Sequence, residues 1–303
     1  MKKHQRTMNN KLIWGDNKLI LSSLKNGPMR KEIEAQGGLK LIYIDPPFDV
    51  GADFSMDIEI GEGESAENFT KKPSVIEEIA YRDTWGKGAD SFIAMIYERL
   101  KLMHDLLAED GSIYVHCDWR LSGYMKIVLD EIFGKDNFQN EIIWHYKNSA
   151  LKAKSKKFRQ NTDTILYYVK EKGKHIWNDV FEKCEPYKNS KHKFNPTTKK
   201  AERVKNEQGK IEYFMVDKRK CDNLIQINAL NSNEKVGYPT QKPKELIKRF
   251  VLASSNENDV VADYYLGSGT TAVVCKELNR NFIGCDINPK AIEITNARLD
   301  AVS

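Results

Sequence analysis

The stretch Asp259-Val260-Val261-Ala262-Asp263-Tyr264-Tyr265-Leu266-Gly267-Ser268-Gly269-Thr270-Thr271-Ala272 decides the fold. It begins as a buried strand, Asp259 to Asp263, and ends in a helix running from Thr270 to Leu278. Gly267-Ser268-Gly269 forms the tight turn between them. Glycines at such a turn let the backbone approach a ligand closely, and the helix start offers free N–H groups. The next strand, Asn281 to Asp286, ends in an acid that can accept hydrogen bonds from both hydroxyls of a ribose. As a bare pattern, Gly267-x-Gly269-x-x-Ala272 plus that acid also fits a dinucleotide-binding fingerprint. Position argues against a free-standing nicotinamide domain, because only 34 residues follow Gly269 in a chain of 303. One βαβ unit and a closing helix, Ala291 to Ala301, fit there, so the N-terminal strands must complete the sheet.

Those strands are present. Leu12 to Asp16 reads as a short strand followed by a helix from Asn17 to Lys25. Leu39-Lys40-Leu41-Ile42-Tyr43-Ile44 is a core strand of a parallel sheet, and it runs into Asp45-Pro46-Pro47-Phe48. Two prolines fix φ and donate no N–H, so the chain leaves the sheet stiffly with a carbonyl to spare. Taken alone, the tetrapeptide is as much a strand-ending turn as a site where a carboxylate, a carbonyl and an aromatic ring meet. Ser91 to Leu107 carries apolar residues at helical spacing, and Asp110-Gly111 ends that helix before the strand Ser112 to Cys117. Another helix runs from Tyr124 to Phe133 and is closed by Gly134. Glu141–Tyr146 and Thr164–Val169 read as a pair of strands, and Pro243 to Ala253 as a helix with Pro243 in its first turn. The alternation predicts a doubly wound, mostly parallel α/β sheet. The strand ending at Asp263 is expected beside the strand ending at Asp45, with both loops at the carboxyl edge where such sheets bind ligands. The Gly- and acid-rich segment from Val50 to Lys72 reads as a long loop.

The net charge of +5 hides an asymmetry. Residues 147–235 hold 22 Lys and Arg against 11 Asp and Glu, while the rest holds 26 against 32. One contiguous segment therefore carries all the positive excess, interleaved with aromatics such as Tyr187, Phe194, Tyr213 and Phe214, and such a segment is expected to meet phosphates. Hydrophobic content of 40% with 30% charged residues describes a globular chain, and no apolar run reaches membrane-spanning or signal-peptide form, which predicts a cytoplasmic protein with no membrane partner. Five cysteines with no Cys-x-x-Cys spacing read as reduced structural thiols, and no metal site is expected. His116, beside Cys117 and Asp118, reads as a core residue of its strand. Trp144 and Tyr146 read either as core or as lining of a base pocket.

Taken together, Asp45-Pro46-Pro47-Phe48, Tyr238-Pro239-Thr240-Gln241-Lys242-Pro243 and Asp263…Gly267-Ser268-Gly269-Thr270-Thr271 resemble the S-adenosylmethionine-dependent DNA amino-methyltransferases. The order, tetrapeptide first and glycine loop near the end, resembles their β group, over about residues 11–149 and 236–300. The resemblance implies a permuted class I methyltransferase-like sheet. Residues 11–149 would form a catalytic half and 236–303 a cofactor-binding half, with a basic target-recognition region at 150–235 interleaved with the last strands. It implies S-adenosylmethionine as methyl donor and double-stranded DNA as partner, and it admits a homodimer and a separately encoded restriction endonuclease.

Residue by residue, the resemblance places Asp45, Pro46, Pro47 and Phe48 at the catalytic site, where the Asp45 carboxylate and Pro46 carbonyl take the two N–H bonds of a flipped base and Phe48 stacks on it. It places Asp16 and Asn17 at the adenine edge of the cofactor, with helix capping an equal alternative for Asp16. Thr240, Gln241 and Lys242 fall at the amino-acid end, and Asp263, Tyr265, Leu266, Gly267, Ser268, Gly269, Thr270 and Thr271 around the methionine part. Asp286 falls at the ribose and Ile287 against the adenine ring. Where the family has Pro-Phe after the loop's aspartate, this chain has Tyr264-Tyr265; Tyr265 replaces a phenyl ring, whereas Tyr264 lacks the ring that stiffens a strand exit. Aspartate first in the tetrapeptide resembles adenine-N6 enzymes, with cytosine-N4 the alternative. An oxidoreductase would leave the tetrapeptide and basic segment idle, and a binding module would explain the charge alone.

Overall fold

The computed structural model describes residues 10–47, 56–60, 67–71, 89–146, 156, 158–228, 230, 232–238 and 240–302. Phe48 and Pro239 lie outside the described residues. An eight-stranded sheet is built from β1 (Lys11–Trp14), β2 (Leu39–Ile44), β5 (Leu107–Cys117), β6 (Phe138–His145), β7 (Thr162–Val169), β12 (Leu224–Gln226), β13 (Val260–Asp263) and β14 (Asn281–Asp286). Its order is β1-β14-β13-β2-β5-β7-β6-β12. Every neighbouring pair is parallel except those that β7 makes with β5 and β6. The expected adjacency holds, with Val261 opposite Leu41 and Ala262 opposite Ile42.

Seven helices are described: α1 (Asn17–Asn26), α2 (Met29–Ala35), α3 (Ala89–Leu106), α4 (Ser122–Phe133), α5 (Lys244–Ser254), α6 (Thr270–Glu277) and α7 (Pro289–Asp300). Strand alternation sorts them into two layers. Ile42 and Ile44 of β2 share one core with Leu21 and Leu24 of α1, Phe92 and Ile96 of α3, and Met125 and Leu129 of α4. Leu41 and Tyr43 share the other with Leu246 and Phe250 of α5 and Ala272 and Val274 of α6. Both faces are covered, as a parallel sheet requires, and each fully buried large side chain contributes about 1.5–3 kcal/mol. Aromatic stacking stiffens the second face under the tetrapeptide strand. The Tyr114 ring lies 4.4 Å from Tyr167 and 4.6 Å from Phe250, and Phe250 also stacks on Tyr43.

Several elements differ from expectation. β5 starts at Leu107, not Ser112, with a register shift opposite β2 between Leu39 and Leu41. A Cβ on Gly111 would meet the Leu39 carbonyl oxygen at 2.7 Å, so the bulge needs glycine there for close approach. Pro243 sits at the cap position one residue before α5, at φ −67°. The segment read as a loop from Val50 contains β3 (Met56–Ile60) and β4 (Glu67–Lys71), paired antiparallel, which the alternation Asp57-Ile58-Glu59-Ile60 accommodates.

Residues Asp179–Asp222 form a separate compact unit. It consists of the long antiparallel ribbon β8 (Phe181–Ser190) and β11 (Tyr213–Lys220), with a short pair β9 (His192–Asn195) and β10 (Lys200–Arg203) between them. The ribbon presents Phe181, Tyr187, Tyr213, Phe214 and Met215 to solvent together with most of its lysines. Within this unit 12 basic residues face 8 acidic ones. Much of the charge excess of residues 147–235 thus lies before it, in 147–159, which has six Lys and Arg and no acid.

Candidate active site

Parallel strands end on a common edge, and here that edge is acidic. Four neighbouring strands, β1, β14, β13 and β2, each deliver an aspartate at or just past the carboxyl end: Asp16, Asp286, Asp263 and Asp45. At a spacing of about 4.8 Å per strand the row is on the order of 14 Å long. Such a row suits a ligand with hydroxyls and positive charge.

The four acids are not equivalent. Asp16 caps α1, accepting the N–H groups of Lys18 at 2.8 Å and Leu19 at 3.2 Å, so the helix-cap alternative is what its Oδ1 does. Its Oδ2 faces Arg99 Nη2 at 3.3 Å, while Arg99 Nε donates to the Asn17 amide oxygen. The Asn17 amide donates in turn to the Tyr264 carbonyl at 3.0 Å. This pins the strand exit that proline would otherwise stiffen, and the Tyr264 ring is fully buried in the core. Tyr265 follows in a half-buried position, its hydroxyl 3.8 Å from the Met95 sulfur.

Asp263 is spent on the loop itself. It accepts the Tyr265 N–H at 3.0 Å and the Thr271 hydroxyl at 2.6 Å. Burial pushes its carboxyl from the ordinary 3.8 to about 7, with Asp45 and Asp286 adding to the rise and the two hydrogen bonds opposing it. A folded-state value above the unfolded one means stability that is present at low pH and lost as pH rises from about 4 through 7. Asp263→Asn cannot ionise, so its unfolding free energy should fall less than that of the wild type between pH 4.5 and 8. Urea titrations at the two pH values measure this, and parallel curves would refute it.

Gly267 and Gly269 adopt left-handed φ values of 53° and 77°. Ser268 and Thr270 are buried, their hydroxyls 3.2 Å apart, and Arg298 of α7 donates from Nη1 to the Ser268 carbonyl at 2.6 Å and to Thr270 Oγ1 at 3.2 Å. Leu266 is buried below the turn. Asp286 accepts the Gly267 N–H on one oxygen at 2.7 Å and the Asn288 N–H on the other at 2.8 Å. A carboxylate has about four lone-pair sites, so each oxygen keeps capacity for a hydroxyl. Burial raises the Asp286 pKa. Ile287, next in line, is 38% exposed, and its carbonyl accepts the Trp14 indole N–H.

Asp45 stands immediately past β2, and Pro46 behind it is buried. Lys242 Nζ forms an ion pair with the Asp45 carboxylate. Thr270 Oγ1 donates to the Lys242 carbonyl at 3.1 Å, which ties the glycine loop to the tetrapeptide. Gln241 is buried and committed to its own loop, accepting the Val236 N–H and donating to the Glu234 carbonyl. Thr240 is exposed. His116 is buried, with its Nδ1 3.0 Å from the Tyr43 hydroxyl and its Nε2 3.1 Å from Asp163. Trp144 is core, its indole N–H donating to the Ile227 carbonyl. Tyr146 is half-buried, its hydroxyl 3.5 Å from Asp163.

Two supporting residues went unread in the sequence. Arg99 lies seven positions after Phe92, inside the apolar stripe of α3, and a charge there is a signal of a buried partner. Arg298, in the last turn of the last helix, looks like any cation placed against a helix dipole.

With this geometry in place, comparison with known proteins is specific. The family model for N6/N4-type DNA methylase matches residues 39–297. The type II methyltransferase M.HpaI of Haemophilus parainfluenzae is 29% identical over 267 residues, 88% of this chain and 69% of that protein. M.EcaI of Enterobacter cloacae is 30% identical, covering 91% of this chain and 66% of that protein, so the chain spans about two thirds of these relatives. The DNA adenine methyltransferase YhdJ of Escherichia coli (strain K12) is 28% identical over 90% of this chain and 80% of its own length. Among solved structures, the M1.HpyAVI–SAM complex superposes with a TM-score of 0.59 at 20% identity, covering 96% of this chain and 98% of that one. The cytosine-N4-specific PvuII DNA methyltransferase gives 0.57 at 16%, covering 96% and 86%. These two likenesses establish the fold. The described geometry and the family match lead to one conclusion: the chain belongs to the DNA methylase family of S-adenosylmethionine-dependent amino-methyltransferases.

Proposed function

We propose that this protein methylates the exocyclic N6 of a flipped adenine in double-stranded DNA. The observation that carries this reading is the placement of Asp45 at the carboxyl end of β2, next to β13 and its glycine loop. The edge fits S-adenosylmethionine: Asp286 has spare acceptor capacity for ribose hydroxyls, Lys242 can meet a carboxylate, and the acidic row favours a cationic ligand. When bound, the cofactor supplies an electrophilic methyl group on a sulfonium.

The chain's own residues do the rest. The lone pair of an exocyclic amine is delocalised into its ring. An Asp45 carboxylate and a Pro46 carbonyl taking its two N–H bonds pull the nitrogen toward a pyramidal shape and aim the lone pair. Asp45 also stabilises the positive charge that develops on nitrogen. No covalent intermediate is needed, and the buried Cys117, Cys275 and Cys285 take no part. Phe48 is assigned to stacking on the base. The base must leave the duplex, at a cost of a few kcal/mol. The ribbon of β8 and β11 supplies a two-stranded element of the kind a major groove admits, and we assign residues 179–222 to target recognition with the lysine-rich run before them on phosphates.

The test is label transfer from S-adenosylmethionine to a pool of duplexes of varied sequence, followed by nucleoside mass spectrometry. N6-methyladenine is the expected product. N4-methylcytosine alone would move the assignment to the second reading, which the family match also covers. DNA retention without any transfer would reduce the protein to a binding module.

A further inference from the structure

The ion pair between Asp45 and Lys242 has both side chains mostly withdrawn from solvent, 15% and 17% exposed. It is at odds with the work assigned to Asp45. The ammonium sits on one oxygen, Oδ2, so Asp45 keeps lone pairs to accept an amine, but its charge is neutralised and the ammonium opposes positive charge growing on the nitrogen. Lys242 also belongs to the second half of the site. Its carbonyl accepts from Thr270, Thr270 is held by Arg298, and its Nζ lies 3.4 Å from the Thr240 carbonyl. The backbone of Lys242 is thus anchored to the glycine loop while its flexible four-carbon stem carries a mobile charge.

We propose that Lys242 has two alternative partners, Asp45 in the free protein and the amino-acid carboxylate of the cofactor in the loaded one. The inference rests on the cofactor reading above. Movement of the ammonium from one carboxylate to the other restores the charge of Asp45, so the group that stabilises the developing cation is ready only when the donor side is filled. Cofactor capture then primes the chemical step, and a target amine in the empty enzyme meets a carboxylate whose charge is already neutralised. Linkage is reciprocal: whatever holds Lys242 on Asp45 works against capture of the cofactor carboxylate.

The reciprocity gives a test that needs neither DNA nor turnover. The full chain is titrated calorimetrically with S-adenosylhomocysteine and with methylthioadenosine, which lacks the amino-acid carboxylate. Asp45→Asn removes the competitor and should tighten S-adenosylhomocysteine about fivefold while leaving methylthioadenosine unchanged. Lys242→Gln should weaken S-adenosylhomocysteine about tenfold, again without effect on methylthioadenosine, and in the double variant the gain from Asn should vanish. Unchanged or weaker S-adenosylhomocysteine binding by Asp45→Asn, or equal tightening of both ligands, overturns the exchange. A wild type that binds neither ligand fails at the cofactor reading itself and takes the exchange with it.

Discussion

Asp45→Ala should lower single-turnover methyl transfer by about 10³-fold or more, the scale of removing one preorganised group that meets transition-state charge. The argument is differential. Asp45 does little for the neutral amine of the ground state and most for the nitrogen as it takes on positive charge, so the loss falls on the chemical step. Asp45→Asn keeps a carbonyl acceptor without the negative charge and should fall between the two. Fold stability should change little, because Asp45 lies beyond the last residue of β2 and the flexible stem of the freed Lys242 lets its ammonium reach water. Cofactor affinity should increase, because the competitor for the Lys242 ammonium is gone. Transfer within tenfold of wild type in the alanine variant would remove Asp45 from the catalytic site.

Gly269→Ala should damage both the fold and the cofactor site. Gly269 precedes α6 at φ 77° and ψ 21°, a left-handed conformation that costs an alanine about 1 kcal/mol. A Cβ there would also come within 2.6 Å of Thr295 Cγ2 and 2.8 Å of Thr295 Cβ on the buried face of α7. Overpacking of this kind costs about 1–3 kcal/mol, which brings the whole to about 2–4 kcal/mol. Relief by moving α7 would shift Arg298, which holds Ser268 and Thr270, so affinity for S-adenosylhomocysteine should fall with stability. Thr295→Ala in the same chain removes the Oγ1 and Cγ2 contacts and should recover part of the steric share, leaving the 2.8 Å contact with Cβ and the conformational cost. The Thr295 hydroxyl is buried without a hydrogen-bond partner among the described residues, so its removal forfeits no hydrogen bond. Urea midpoints and calorimetry on the three variants measure the share that the Oγ1 and Cγ2 contacts carry. A Gly269→Ala protein as stable as wild type would refute this account of the turn.

Gly269 thus has two roles, of which only one was legible. The strand–turn–helix reading predicted close backbone approach to a ligand, whereas the structure shows that the nearest obstacle to a side chain is Thr295, 26 positions later. Other elements divide along the same line. The strand Asn281–Asp286 is read with the bounds it has and the strand within Leu39–Asp45 to within two residues, because turn residues mark their ends. α2 was missed: it has one buried residue, Ile33, and so no periodicity to betray it. β12 was missed because three residues with only Ile225 buried carry no alternation. The basic segment was recognised by composition, but its division into a compact unit from 179 and a lysine-rich run before it required the contacts.

At the site, the sequence by itself determined which residue types stand at strand ends, because an acid after an apolar run and glycines before a helix are local patterns set by backbone geometry and burial. It also determined the family, through two motifs in a particular order. Only the tertiary structure decided what each acid is doing. Asp16 and Asp263 are spent on a helix cap and a loop, Asp286 keeps capacity, and Asp45 is engaged by a lysine 197 positions away. Hydrogen-bond and ion-pair partners of a short side chain are fixed by which strands neighbour in the sheet, and that order, β1-β14-β13-β2, joins the two ends of the chain. No local pattern contains it.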